Sequence, residues 1–378
     1  MKAPSRIDRS AFARWWWTVD HVSLAIIAAI ATIGVVVLMA AGPGASARLG
    51  ISDSFYFPLR QFLFLAPAAA VMLGVSFLLP LQARRLGTLL FAVALIAMVA
   101  ALLFAPELNG AKRWFTIGAF GFQPSELAKP GFIVVAAWML AEGARSPRFP
   151  GAAIAAGLYV AFLLLLILQP DYGQAALVTA VWMIMFFAVG WNMLWIGAIA
   201  ACGGAALAFG YAFSPHLASR FEAFFDPEGA ETYQVDKAGE AFAEGGLFGR
   251  ASEGARVKLQ LPDAHTDFIF AVAGEEGGFI LAFVILALFA ALVVRLLMKA
   301  AALKSAFAQC AVSGLAAAIG LQSLVNMGVA LRALPAKGMT LPFISYGGSS
   351  LIATGLTFGF ILALCRPHGT RRRREIMP

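Results

Sequence analysis

The chain has 378 residues, of which 61% are hydrophobic and only 13% charged, with a formal net charge of +8 and a mean hydropathy of +0.83. An ordinary soluble domain carries about 25% charged residues, so this composition excludes one and points to an all-α polytopic membrane protein. The excess positive charge follows from topology, as the distribution of Lys and Arg shows, and implies no nucleic-acid partner.

Crossing about 30 Å of hydrocarbon takes roughly 20 helical residues. Ten such runs are predicted in chain order: Val22–Ala41, Leu59–Pro80, Leu86–Phe104, Pro124–Leu140, Ala152–Leu168, Gly173–Gly190, Met193–Phe213, Asp267–Val294, Ser305–Leu331 and Leu341–Leu364. None shows the alternation of a barrel strand, and helices satisfy their own backbone polar groups in lipid. Residues 1–21 read as a cytoplasmic tail, 22–365 as the transmembrane domain and 366–378 as a basic cytoplasmic tail, with a long connection over about 214–266. The first run is too long for a signal-peptide core, so Ala45-Ser46-Ala47 is not read as a cleavage site. Trp15, Trp16 and Trp17 fit an interfacial aromatic belt before the first span.

Lys and Arg divide unevenly between the two faces. One face collects 16, from Lys2 through Arg84, Arg145, Arg295 and Arg366 to the run at 371–374. The other, leaving out the long connection, holds 7: Arg48, Arg60, Lys112, Arg113, Lys129, Arg332 and Lys337. The positive-inside rule therefore puts both termini in the cytoplasm and the long connection outside. Cys202, Cys310 and Cys365 have no CxxC or metal-ligand spacing and read as inert thiols.

Transporters collect polar residues near the bilayer midplane, on helices broken by Gly or Pro. Here they gather at the external face: NGAKRWF (109–115), QPSELAKP (123–130), QPDYG (169–173), the long connection ending in LPDAHTDFIF (261–270), and LPAKGMTLPFISYGGSS (334–350). That pattern suggests a site assembled from several helix ends, within reach of both a lipid tail and its polar headgroup. Asp267 is the most informative residue in it, because a carboxylate at a helix mouth is costly to desolvate. The bland alternative is a helix N-cap. Lys129, just inside the fourth span, needs a carboxylate partner and is expected to approach Asp267; the alternative is snorkelling. Arg113 suits bidentate phosphate contact, beside Lys112, and Trp114 suits sugar stacking or interfacial anchoring. His265 either relays a proton or makes a structural hydrogen bond. Gly347 and Gly348 read as packing devices. Glu275 and Glu276, roughly 12 Å into the eighth span, are expected to include at least one structurally paired carboxylate.

The segments NGAKRW, QPSELAKP, GGLFG (245–249), LPDAHTDFIFAVAGEE and LPAKGMTLPFISYGGSS, in this order and spacing, resemble the SEDS family (shape, elongation, division and sporulation). The Lys-Arg-Trp of the first and the form of the last resemble its division branch more than its elongation branch. The resemblance implies a peptidoglycan glycosyltransferase that polymerises lipid II at the outer face of the cytoplasmic membrane during septal wall synthesis, with Asp267 as catalytic base. With that substrate, Lys112, Arg113, Trp114, Ser125, Lys129, His265, Thr266, Lys337 and Ser345 are the candidate substrate-binding residues. Its implied partners are a class B penicillin-binding protein, other divisome membrane proteins and membrane lipids. A pyrophosphate leaving group makes Mg²⁺ or Mn²⁺ a plausible charge compensator, although no carboxylate cage is visible. A lipid II flippase and a non-catalytic divisome scaffold are the alternative functions. Two positions depart from the family pattern: Tyr172 and Gln174 stand in a motif that usually reads QPDLGT, and Arg332-Ala333 precedes the final LP where Gly is frequent.

Overall fold

The computed structural model describes residues 10–107, 110–117, 120–146, 148–190, 232–250, 254–335 and 338–367, with the isolated positions 8, 197 and 201. It is helical: α1 (Ala11–Thr18), α2 (His21–Arg48), α3 (Tyr56–Ser76), α4 (Pro80–Phe104), α5 (Pro124–Arg145), α6 (Gly151–Leu168), α7 (Tyr172–Ala188), α8 (Thr232–Gly245), α9 (Ile269–Ala301), α10 (Ala306–Ala330) and α11 (Gly348–Cys365). Eight of these, α2 to α6 and α9 to α11, are long and apolar enough to cross a membrane, and α7 is a shorter apolar helix. They match nine of the ten runs read from the sequence. The remaining run, Met193–Phe213, lies outside the described residues apart from positions 197 and 201, as do Cys202, Lys337 and most of the C-terminal tail. The chain is a multi-pass membrane protein.

Burial sorts the helices into two classes. α5, α10 and α11 are buried along most of their length, whereas α3, α4, α6 and the long C-terminal part of α9 expose Leu, Val and Phe. Lipid tails give no hydrophobic drive between helices, so association rests on close packing, which small residues permit. α10 illustrates this at Gly314, where an added Cβ would stand 2.8 Å from both Ile133 of α5 and Met185 of α7.

Both ends of the described chain meet at one face. Arg366, just after α11, donates from Nε to Thr18 Oγ1 (3.0 Å) and from Nη1 to Ser76 O (2.7 Å). Trp15 of α1 donates to Ser76 Oγ (2.7 Å) and stacks on Phe77 at 5.0 Å between centroids. Asp20 caps α2 and pairs with Arg295 (2.7 Å) and Lys299 (3.3 Å) of α9. The tryptophan triplet is thus split between roles: Trp15 is buried, while Trp17 is exposed.

The eighth predicted span is not one continuous helix. At Gly278 the backbone leaves helical geometry (φ 66°, ψ −168°), dividing α9 into a short outer part and a long membrane part. The freed backbone groups are met by the GGLFG turn. Phe279 and Ile280 donate to Gly246 O (2.9 Å) and Leu247 O (3.2 Å), and Arg250 N donates to Glu275 O (2.9 Å). Glycine is required on both sides of this contact. A Cβ at Gly249 would overlap the carbonyl of Glu276, and one at Gly278 would overlap the main chain of Leu247 and Gly249.

Glu275 and Glu276 hold the same region. Glu275 accepts from the main-chain N–H groups of Val257 (2.7 Å) and Lys258 (2.6 Å), and Glu276 pairs with Lys258 Nζ. Both carboxylates are therefore structural, as was expected for at least one of them.

Candidate active site

At the opposite face from Arg366, the N-terminal ends of α5, α7, α9 and α11 meet the C-terminal end of α10. Two motif segments, 261–268 and 338–347, pass between these ends. Polar side chains form separate hydrogen-bonded clusters among them. Gln123 Nε2 donates to Asp171 Oδ2 (3.0 Å), and Arg113 Nη1 lies 3.7 Å from Asp171 Oδ1. Burial raises the Asp171 carboxyl above the ordinary carboxylate range, with Arg113 opposing the rise.

One turn into α5, Glu126 Oε1 accepts from Lys129 Nζ (3.0 Å) and from Gln174 Nε2 (2.8 Å). Lys129 Nζ also donates to Gln322 Oε1 (3.0 Å) on α10, and Gln322 Nε2 donates to Thr340 O (2.8 Å). The expected approach of Lys129 to Asp267 is thus replaced by an ion pair with Glu126. The physical reason is local: a buried ammonium needs a carboxylate, and Glu126 lies three residues earlier on the same helix face. That i, i+3 spacing within QPSELAKP was the signal available for finding Glu126. Gln174, Gln322, Asn326 and Thr340 carry no comparable signature, being polar residues in otherwise apolar runs.

Asp267 lies in a run of turns over 262–268. It is not the N-cap of α9: Phe268 occupies that position, and no side chain caps it. Asp267 O accepts from Asn326 Nδ2 (2.8 Å), and Oδ2 faces Gly338, where an added Cβ would stand 3.5 Å away. Gly338 adopts φ +53° here. Burial pushes the Asp267 carboxyl up to about 7, with Asp263 adding to the rise and Arg113 opposing it. A base with a pKa near the working pH combines an ionised resting form with useful proton affinity.

The other predicted site residues occupy distinct layers. Lys112 is exposed, and Arg113 and Trp114 are half-buried, just before a hairpin of β1 (Phe115–Ile117) and β2 (Phe120–Phe122). Trp114 packs on that hairpin, 3.5 Å from where Gly121 would carry a Cβ. Ser125 is buried and its Oγ has no partner among the described residues. Ser345 Oγ donates to Thr266 O (2.6 Å) and accepts from Leu341 N (2.7 Å), so it clips the two segments together. His265 lies between Phe57 (4.2 Å) and Tyr346 (5.7 Å between centroids), and its main-chain O accepts from Tyr346 N. Burial lowers its imidazole to about 4, against Asp263 and with Arg48, so the ring is neutral at pH 7.

Among the described residues, no group of three or more His, Cys, Asp or Glu is placed to hold a metal ion. The described side chains of this site therefore do not form a dedicated divalent-ion cage.

Residues 20–368 match the family model described as "Cell cycle protein", the model of FtsW, RodA and SpoVE. This chain belongs to that family. The SEDS assignment rests on whole-length similarity as well. A relative from Caulobacter vibrioides, named probable peptidoglycan glycosyltransferase FtsW, is 41% identical over 96% of this chain and 93% of its own length. One of the same name from Trichlorobacter lovleyi is 34% identical over 91% and 92%. Among solved structures, a chain from a peptidoglycan synthase complex described as coordinating polymerization and crosslinking superposes with TM-score 0.76. It is 31% identical and covers 92% of this chain and 97% of its own. The rod shape determining protein RodA of Thermus thermophilus gives TM-score 0.70 at 30% identity, covering 93% and 97%. The SEDS bundle is thus shared at the level of both sequence and fold, and the five polar motifs meet at one face of it.

Proposed function

We propose that this chain is the peptidoglycan glycosyltransferase of septal wall synthesis, polymerising lipid II at the outer face of the bacterial cytoplasmic membrane. Its whole-length similarity to relatives named FtsW supports the activity. The observation that carries the site is the placement of Asp267 on the 261–268 segment with its Oδ2 facing Gly338 of the 338–347 segment, where burial pushes the carboxyl up to about 7 and Arg113 opposes the rise. In the reaction, the 4-hydroxyl of one GlcNAc attacks C1 of a MurNAc that carries pyrophosphate. The hydroxyl proton passes to Asp267, the C1–O bond to pyrophosphate breaks with its electron pair, and the anomeric centre inverts from α to β.

Arg113, Lys112 and Lys337 are the cations assigned to the departing pyrophosphate, with Lys337 lying outside the described residues. Lys129 acts from inside the wall, through Glu126 and Gln322. Trp114 offers an aromatic face for a sugar, Ser125 an unused hydroxyl, and Thr266 and His265 the rim beside Asp267. Ser345 is assigned to shaping the rim rather than to contacting substrate, because its hydroxyl already both donates and accepts. Mg²⁺ or Mn²⁺, if used, would supply charge compensation for the departing pyrophosphate.

A flippase needs a polar route across the bilayer. Below Lys129, the described core includes Phe132, Val134, Leu140, Trp182 and Met185, all fully or nearly fully buried. This apolar floor favours polymerisation over translocation. A class B penicillin-binding protein is the proposed partner, supported by the likeness to a synthase complex that couples polymerization with crosslinking. The test is purified protein with that partner and fluorescent lipid II. Glycan polymer from wild type and none from Asp267→Ala is expected; undiminished polymer from Asp267→Ala would overturn the mechanism.

A further inference from the structure

Polymerisation joins two lipid-linked molecules, and each brings its own pyrophosphate. One departs from C1 of the donor MurNAc. The other stays on the acceptor, a disaccharide away from the attacking 4-hydroxyl, and keeps its charge through the turnover. Arg113, Lys112 and Lys337 are assigned to the departing group. Holding both pyrophosphates on that one set of cations would force their negative charges together, so the acceptor needs a second anion site.

Arg60 stands where such a site is required. It is half-buried, one turn into α3 at the same face as the motif segments. Its guanidinium lies over the Tyr56 ring, 4.2 Å from the centroid, and donates to the Tyr346 hydroxyl. Two neutral side chains thus fix the plane of the cation without neutralising it. Tyr346 also joins it to the segment of Asp267: its main-chain N–H donates to His265 O (2.9 Å), and its ring lies 5.7 Å from the imidazole. Arg48, the last residue of α2, is close enough to the same imidazole to oppose its protonation, with Asp263 acting against it. Arg113 belongs to the other flank. It meets Asp171 at the head of α7, which packs on α6 and α10, whereas α3 packs on α2 and α11.

The surface around Arg60 suits a lipid-borne anion. Leu59, Phe62 and Leu63 of the same helix are exposed, and Leu63, three residues on, shares the helix face of Arg60. A cation fixed at the head of a lipid-facing apolar stripe complements a phosphate ester whose chain runs down into the bilayer. A free anion has no use for the stripe. We propose that Arg60 binds the pyrophosphate of the acceptor lipid II, with Arg48 as the second cation of the site, while Arg113 serves the departing pyrophosphate. Asp267 then works between two anion sites, and the acceptor is oriented with its anchored end at α3 and its GlcNAc toward the base. The inference rests on the polymerase reading.

The test separates donor from acceptor. A lipid II with its GlcNAc C4 hydroxyl capped serves only as donor. Two analogues with carbon in place of the C1 leaving oxygen serve only as acceptors, one keeping the pyrophosphate and one with an uncharged linkage. Wild type with its partner should prefer the charged acceptor by about tenfold or more in kcat/KM, the worth of a charge-assisted hydrogen bond. Arg60→Gln should lose that preference with its donor KM unchanged. Arg113→Gln should show the reverse, a retained preference with a lowered kcat/KM for the donor.

A wild-type preference in Arg60→Gln would overturn the inference, as would equal use of the two acceptors by wild type. Arg48 is exposed, so Arg48→Gln serves if Arg60→Gln cannot be purified: part of the preference should be lost, and an undiminished one overturns the site. An anionic phospholipid headgroup is the other source of phosphate at this depth. Vesicles with and without phosphatidylglycerol distinguish the two, because a preference that follows phosphatidylglycerol content rather than Arg60 overturns the assignment to substrate. Failure of the polymerase reading looks different: no coupling by wild type on lipid II, or undiminished coupling by Asp267→Ala.

Discussion

Gln322 and Asn326 stand one helical turn apart on α10, the first accepting from Lys129 and the second donating to the main chain of Asp267. One rigid helix thus carries both the buried ion pair of α5 and the segment that presents the candidate base. Side chains four residues apart share a helix face, so a shift of α10 would move both together.

Asp267→Ala and Asp267→Asn are expected to lower polymerisation by about 10²- to 10⁴-fold, the usual worth of a positioned base. Single-turnover extension of fluorescent lipid II measures it. In wild type the rate should rise with pH through an acid limb near 7, because the base works only when ionised and its carboxyl is held at about 7. An acid limb near 4 would refute that assignment.

Stability should respond with the opposite sign. The folded carboxyl of Asp267 binds a proton more tightly than the unfolded one, so its favourable contribution is complete below about pH 4 and is lost as pH rises through about 7. Asp267→Asn has no such loss. Its melting temperature in detergent should therefore gain on wild type between pH 5 and 8; a constant difference across that range would count against the perturbed carboxyl.

Removing one member of the buried pair Lys129–Glu126 leaves the other charge without its partner, at a cost of about 3–5 kcal/mol. Lys129→Met and Glu126→Gln should each lower the melting temperature, and the double variant should recover much of the loss. If the two single losses simply add, the pair is not coupled as the 3.0 Å contact requires.

The helix break at Gly278 depends on the absence of a Cβ. Gly278→Ala meets both a positive φ and the Gly249 main chain. The strained backbone alone costs on the order of 1–3 kcal/mol. Proteolysis within the 245–250 turn should become faster in this variant, while a protected turn would mean that the break tolerates a side chain.

Much was legible from the sequence because the bilayer imposes simple rules. Span length, the Lys and Arg asymmetry and the clustering of polar motifs on one face all follow from the cost of putting charge or bare backbone into hydrocarbon. Asp267 stands out for the same reason, and the position of Glu275 and Glu276 inside a span implies a structural partner for at least one of them, which both have. What could not be read was which polar group meets which. The sequence predicts an approach of Lys129 to Asp267, whereas the i, i+3 neighbour Glu126 lies 3.0 Å from it and Gln322, 193 residues away, completes its contacts.

The sequence by itself determined the class of protein, nearly all of the spans and the set of motifs that form the site, since hydropathy and charge act locally along the chain. Tertiary structure decided the rest: the break in α9 at Gly278, the partner of Lys129, the neutral His265 between two aromatic rings, and Asn326 beside Asp267. Apart from the Lys129–Glu126 pair, which joins neighbours on one helix face, these depend on contacts between segments tens to hundreds of residues apart. In a low-dielectric interior their energies are set by ångström-scale distances, which residue type and spacing do not encode.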